Sequence, residues 1–120
     1  MSSHEKLHHS PLVVDEIQNN PMGRDVKRLD DEFVSFENSG LEVMDIAGWT
    51  VENEAGDVYT FPDRTILEPG ARITLHSGPG IDTDTDYYWG SREPIWGNLG
   101  DTVLVHDQKG VLRIRETYNE

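Results

Sequence analysis

The sequence predicts a single all-β domain, built as a sandwich or a barrel. Short segments of alternating apolar and polar residues are separated by Gly, Asn and Asp turn signals such as ENSG, ENEAGD and DQKG. No stretch carries the apolar spacing of an amphipathic helix. A chain of 120 residues is long enough for one core, and because it has no cysteine, hydrophobic packing must hold that core together.

The strands are predicted where apolar and polar residues alternate between these turn signals. A period of two places successive side chains on opposite faces of a strand, so one face can pack while the other meets water. DQKG is predicted to join the last two strands as a tight hairpin, with Gly110 at positive φ. The predicted strands are residues 12–17, 32–37, 46–52, 58–61, 72–76, 102–107 and 112–117. The predicted core residues are Val34, Phe36, Trp49, Val51, Tyr59, Phe61, Ile73, Leu75, Val103, Val105, Leu112 and Ile114.

The charge balance excludes one class of function and favours a particular environment. Acidic residues number 23 against 10 basic ones, a formal net charge of -13, which argues against direct binding of nucleic acid. The acids are spread along the chain, as in a halophilic protein whose anionic surface is screened by salt. An acidic protein of ordinary salinity is the alternative.

The N-terminal region is polar and ends at Pro11. Its apolar run, residues 12–14, is too short for a signal peptide or a membrane span. We therefore expect no membrane span, a cytoplasmic location for the chain as given, a flexible tail at residues 1–11 and a folded domain at residues 12–118.

Two polar stretches are predicted to be loops. Residues 19–31 contain Pro and Gly and are expected to form a mobile loop between the first two strands. Residues 77–100 form a longer irregular stretch. Because loops beyond about 15 residues are uncommon in compact domains unless they are functional, we expect a functional site here.

An acidic motif in this second loop suggests a calcium site. In DTDTDYYWGSRE, four acids stand at positions 1, 3, 5 and 12 of a calcium-loop template: Asp82, Asp84, Asp86 and Glu93. Carboxylate oxygens are the ligands that Ca²⁺ prefers, so calcium is the one cofactor the sequence suggests. Tyr87 replaces the glycine of the template and no helix flanks the loop, which excludes an EF-hand. The alternative is a solvated acidic loop.

Aromatic residues in the same loop suggest a binding surface. Tyr87 and Trp89, together with Arg92, are predicted to lie on the surface and contact a protein partner or a glycan, because aromatic and arginine side chains are enriched at interaction hot spots. The alternative is that the aromatic rings close the open end of the fold. That alternative is favoured for Trp96.

The histidines indicate no active site. His4, His8 and His9 would share a helix face, but the tail around them is polar, so disorder is expected instead. His76 and His106 each lie near a predicted strand end, and neither lies beside a serine or carboxylate motif that would suggest a catalytic triad. No catalytic residue is therefore predicted.

The order of several short segments resembles the lamin tail domain family, an immunoglobulin-like module of intermediate-filament lamins that also occurs in bacterial and archaeal proteins. The segments are VDEIQNN, DEFVSFEN, DIAGWTVENEAGDVYTFP, LEPG and IWGNLGDTVLVHDQKG, and the likeness covers about residues 12–117. It rests on Glu16, Ile17, Glu32, Phe33, Val34, Phe36, Asn38, Gly48, Trp49, Pro69, Gly70, Trp96, Asn98, Gly100, Asp101 and Gly110. For three of these a structural role is expected. Trp49 spans the core, Asn38 shapes the ENSG turn, and Asp101 caps backbone N–H groups.

The resemblance implies an immunoglobulin-like sandwich of about seven to nine strands that acts as a non-catalytic interaction or adaptor module. The chain is similar to a stand-alone member of the family, of prokaryotic or haloarchaeal type. The resemblance implies no filament assembly, because the sequence contains no apolar heptad repeat. Prokaryotic members are often joined to hydrolases, so the alternative is a calcium-binding accessory domain or a degenerate hydrolase-associated domain. The partner is left open, and the chain is expected to be a monomer or a strand-edge dimer.

Overall fold

The computed structural model describes residues 5–19, 32–97 and 99–119. Within these ranges the chain forms ten strands and no helix. The strands are β1 (Leu12–Gln18), β2 (Phe33–Asn38), β3 (Met44–Asp45), β4 (Thr50–Glu52), β5 (Val58–Thr60), β6 (Ile66–Leu67), β7 (Arg72–His76), β8 (Asp86–Tyr88), β9 (Gly100–His106) and β10 (Leu112–Asn119). The described residues include no helix long and apolar enough to cross a membrane.

The strands form two four-stranded sheets and one small sheet. The first sheet has the order β1-β2-β7-β8, the second has the order β10-β9-β4-β5, and β3 pairs with β6 alone. All pairs are antiparallel except β7 with β8, which is parallel. The predicted all-β sandwich is confirmed. Its described part has more strands than the seven to nine expected, because β3, β6 and β8 are too short to show an alternating pattern in the sequence.

The inward faces of the two large sheets share one hydrophobic core. Every predicted core residue is buried except Tyr59, which is partly buried and packs against the others. Strand β9 shows the cause: Val103 and Val105 are buried, while Leu104 between them is partly exposed. Since burying one such side chain contributes about 1.5–3 kcal/mol, this alternation specifies which face packs.

The predicted hairpin between β9 and β10 is confirmed. The N–H of Asp107 donates to the carbonyl of Val111 at 2.9 Å, and Gly110 closes the turn at φ 85°. The Asp107 carboxylate accepts hydrogen bonds from Lys109 N, Val111 N and Arg113 Nε. Desolvation acts to raise the pKa of Asp107, but these hydrogen bonds outweigh it and the pKa is lowered.

The segment that precedes β1 lies along the open edge of β10. The His8 N–H donates to the Leu112 carbonyl at 2.9 Å, and Arg115 donates to the Glu5 carbonyl at 2.7 Å. The chain's own N-terminal segment therefore contacts an edge that could otherwise pair with another strand. The flexibility of the tail stays a prediction, and residues 1–4, which include one of the tail histidines, lie outside the described residues.

The other predicted loop, residues 19–31, also lies outside the described residues, except for Asn19. This side chain is buried, and its amide donates to the Gly97 carbonyl at 3.1 Å. The end of β1 is thereby joined to the long loop in which the sequence places the candidate site.

Candidate functional site

The long loop after β7 returns to the sheet as β8, which makes it more ordered than the sequence suggests. Thr74 pairs with Asp86, Leu75 with Tyr87, and His76 with Tyr88, all in parallel register. The alternation along β8 turns Tyr87 into the core and leaves the residues on either side of it partly exposed. A parallel strand of three residues has no recognisable sequence pattern, so the loop was expected to be irregular throughout.

The aromatic residues of this loop mostly close the end of the sandwich. Tyr87 is 7% exposed, and its ring meets Phe61 edge-on at 5.8 Å, so its predicted place on the surface is wrong. Trp96 is 1% exposed and packs perpendicular to the partly buried Trp89 at 6.1 Å. For Tyr87 and Trp96 the structure shows the alternative that the sequence left open, namely rings that cover the core.

Trp89 and Arg92 are the predicted binding residues that solvent can still reach. Trp89 also packs on Tyr59, with ring centroids 5.7 Å apart. Burial, followed by the charge of Asp82 and the neighbouring Tyr87, raises the pKa of Tyr59 above its ordinary value, so its hydroxyl stays protonated at neutral pH. Arg92 is exposed and makes no hydrogen bond or ion pair with the described residues. A ligand for Trp89 and Arg92 stays a prediction.

Two of the four predicted calcium ligands are used within the protein. Asp82 Oδ1 accepts a hydrogen bond from the Tyr88 N–H at 3.0 Å. Asp86 bonds His76 Nε2 through Oδ1 at 2.8 Å and accepts from the Thr85 hydroxyl through Oδ2 at 2.7 Å. The hydrogen bonds with His76 and then Thr85 lower the pKa of Asp86.

The other two predicted ligands, Asp84 and Glu93, have exposed carboxylates with no side-chain partner among the described residues. Across the same ranges of the chain, no three His, Asp or Glu side chains are grouped so that they could hold a metal ion. The structure therefore does not bring the four acids together, and calcium binding stays a prediction.

His76 is the centre of a small hollow of about 280 Å³ at the edge of the first sheet. Its ring stacks on Tyr88 with a centroid distance of 4.6 Å and an interplanar angle of 13°. The backbone of Gly80 packs closely against the same tyrosine ring. A Cβ added at position 80 would lie 2.4 Å from that ring. Only glycine fits without movement of the ring. The sequence predicted His76 at a strand end but gave no indication that Asp86 is its partner. The two side chains meet only because β8 pairs with β7 in parallel, and that short pairing has no sequence pattern.

The chemistry available to His76 is limited. Its Nε2 is already bonded to Asp86, and no hydroxyl or thiol among the described residues bonds the ring as a nucleophile would. An imidazole–carboxylate pair without a nucleophile can fix a ring or bind a ligand, but it does not form a catalytic triad.

A second hollow, of about 700 Å³, lies on the outer face of the second sheet. We call it the sheet groove; it is lined by Glu52, Leu104 and Arg115 among others. His106 lies at one side of it and bonds the Glu5 carboxylate at 3.0 Å. The two residues are far apart in the sequence, so no local pattern could have indicated this contact.

Three buried polar side chains that the family motif contains hold the loops in place. Glu32 Oε1 accepts hydrogen bonds from the N–H groups of Ile95 and Trp96 at 2.7 and 3.3 Å. Asp101 accepts from the backbone N–H groups of Thr102, Gly97 and Glu54, which confirms its predicted capping role. Asn38, as predicted, bonds its own turn, through Oδ1 to Gly40 N at 3.0 Å. Glu32 was not expected to act in this way.

The protein is an all-β sandwich in which Glu32, Asn38 and Asp101 hold loops and turns of the fold in place. The chain belongs to the lamin tail domain family, whose family model matches residues 7–120. This family has the immunoglobulin-like fold, which confirms that part of the fold prediction, and it suggests a non-catalytic interaction module. Comparison with curated protein sequences gave no match.

Proposed function

We propose that this chain is a non-catalytic adaptor domain that binds another protein. The observation that carries the proposal is the use of the buried polar residues of the family motif. Asn38 and Asp101 hydrogen-bond backbone groups of their own chain, and so does Oε1 of Glu32, whose Oε2 is buried away from solvent. Because these buried polar side chains maintain the fold, we expect a partner protein to bind the exposed surface of the domain.

The state of the histidines supports the same proposal. His76 and His106 are each bonded to a carboxylate, and among the described residues no hydroxyl hydrogen-bonds either ring. In each histidine the carboxylate bonds Nε2, and general acid–base catalysis through that nitrogen would first have to break this hydrogen bond.

Other parts of the proposal concern the setting in which the domain works. The net charge of -13 supports a halophilic protein. A prokaryotic origin and a cytoplasmic location belong to the same proposal. Trp89 and Arg92 are proposed as contacts for a protein or a surface glycan. Calcium at the acidic loop is proposed as the alternative function, an accessory metal-binding domain.

The contact between the N-terminal segment and β10 favours a monomer over a dimer that pairs at that edge.

Affinity capture from the source cells, followed by reconstitution, tests the proposed function. The captured protein is expressed separately and titrated into this chain by calorimetry at the salt concentration of the cell. A saturable complex that unfolded chain does not form is the expected result. Failure of every captured candidate to bind when reconstituted would overturn the proposal.

A further inference from the structure

The small sheet of β3 and β6 has an outward face on which apolar and acidic side chains alternate. Met44 pairs with Leu67, and Asp45 pairs with Ile66. Leu67 is fully buried, whereas Asp45 and Ile66 are exposed, so the second pair points to solvent. Continuing the register by one residue sets exposed Val43 opposite Glu68. Val43 and Ile66 are therefore diagonal neighbours across the two strands, and each lies opposite an acidic residue.

Leu41 extends this face into the preceding turn. The turn residues from Gly40 to Met44, together with Pro11, line a hollow of about 370 Å³. Leu41 is 94% exposed, Val43 is 53% exposed and Ile66 is 51% exposed. We call these three residues the end patch. Large apolar side chains this exposed are normal when they stand alone, but a group of them on one face indicates an interaction site.

Buried hydrogen bonds fix the turn that presents the end patch. The side-chain amide of Asn38 donates to the carbonyls of Glu42 and Leu67 at 2.8 and 3.0 Å, while its oxygen accepts from the Gly40 N–H. Asn38 is completely buried. The exposure of Leu41 is therefore built into the fold, and a surface that is already ordered loses less entropy when it binds.

The charges around the end patch define what would bind it. From Glu32 to Asp63 every charged residue is acidic. Arg72, in the adjoining sheet, is already paired with Asp15 at 3.2 Å, and Arg64 is the basic residue that precedes β6 in the sequence. A second copy of this chain would bring two strongly anionic surfaces together, whereas a basic segment would be attracted.

We propose that the end patch binds an extended segment of another protein that carries apolar and basic side chains, lysine or arginine, at every second position, so that both kinds lie on the face of the segment that meets the patch. The proposal rests on the proposed function as an interaction domain. Apolar side chains of the segment contact Leu41, Val43 and Ile66, and its basic side chains face Glu42, Asp45 and Glu68. The described residues place no third strand beside β3 or β6, so the edges of this sheet can accept main-chain hydrogen bonds from such a segment.

An NMR titration of the isotope-labelled full chain with a short capped peptide that repeats Val-Ser-Lys-Ser, which places valine and lysine on one face of the extended chain, tests the proposal. We expect chemical-shift changes at residues 40–45 and 66–68. Leu41→Ser should weaken binding about tenfold, the loss expected when one buried leucine is removed from a contact. Replacing the valines of this peptide by serine should weaken binding, and replacing its lysines by glutamate should abolish it.

The matched control is Ile81→Ser, which removes an apolar side chain that is 87% exposed outside the end patch. It should leave the affinity within about twofold of the wild type. Equal weakening by both substitutions, or no binding by the wild type, would overturn the end patch. Shift changes confined to the sheet groove would also overturn it, while leaving the proposed function intact. Salt-promoted self-association that Leu41→Ser abolishes would assign the patch to a second copy and overturn the basic partner.

Discussion

The carboxylate of Glu32 accepts a hydrogen bond from the N–H of Ile95 at 2.7 Å, although the two residues are 63 positions apart. Glu32 lies just before β2, and Ile95 lies in the loop that leads to β9. The same Oε1 atom also accepts from Trp96, which is almost completely buried. One carboxylate thus ties the long loop to the first sheet and keeps Trp96 in the core.

Replacement of Glu32 tests the importance of this contact. Glu32→Ala leaves two buried N–H groups without an acceptor, and we expect it to lower the free energy of unfolding by about 2–5 kcal/mol. Glu32→Gln retains one acceptor oxygen and should cost clearly less. Urea unfolding curves measure both. Equal, small effects of the two substitutions would show that the hydrogen bonds to Ile95 and Trp96 contribute little.

Gly80 is predicted to be required by the ring of Tyr88. Gly80→Ala places a methyl group against that ring and should destabilise the protein by about 1–3 kcal/mol. In a Tyr88→Ala background the same substitution should be nearly neutral, because the obstacle is gone. Unfolding curves for the four proteins of this double-mutant cycle give the coupling. Identical costs in the two backgrounds would contradict the described contact.

The lowered pKa of Asp86 predicts a dependence on acid. Its carboxylate holds a proton more weakly in the folded chain than in the unfolded one, so it stabilises the fold above the unfolded pKa of about 4. That contribution is lost as the pH falls through the lower, folded pKa. Asp86→Asn should therefore lower the melting temperature at neutral pH, by an amount that shrinks in acid. Asp84→Asn removes the same charge from a carboxylate without a side-chain partner among the described residues, and should lower the melting temperature at neutral pH less than Asp86→Asn does.

Salt is predicted to stabilise the fold without any need for calcium. With a net charge of -13, the carboxylates repel one another, and molar KCl or NaCl shortens the range of that repulsion to about 3 Å. Melting temperatures should rise in KCl and respond equally to CaCl₂ and EDTA at constant ionic strength. A calcium-specific rise that Asp84→Asn abolishes would instead establish the acidic loop as a metal site, because a ligand stabilises only the state it binds.

The sequence was sufficient to predict the strands in which alternate residues face the core and the solvent. Val103 and Val105 are examples, because period-two burial depends only on local spacing. The turn at Gly110 could be predicted for the same reason. The place of Tyr87 could not, because it depends on the parallel pairing of β8 with β7. The role of Glu32 was equally hidden, since its hydrogen bond to Ile95 forms only after the whole fold is assembled.

The most direct test of the account is an assay of the purified chain against a panel of hydrolysable substrates that includes phosphodiesters, esters, peptides and glycosides. We expect no turnover above that of buffer, for the wild type and for His76→Ala alike, because Glu32, Asn38 and Asp101 hydrogen-bond backbone groups of the fold. Turnover by the wild type that His76→Ala or Asp86→Asn abolishes, without loss of folding, would contradict it.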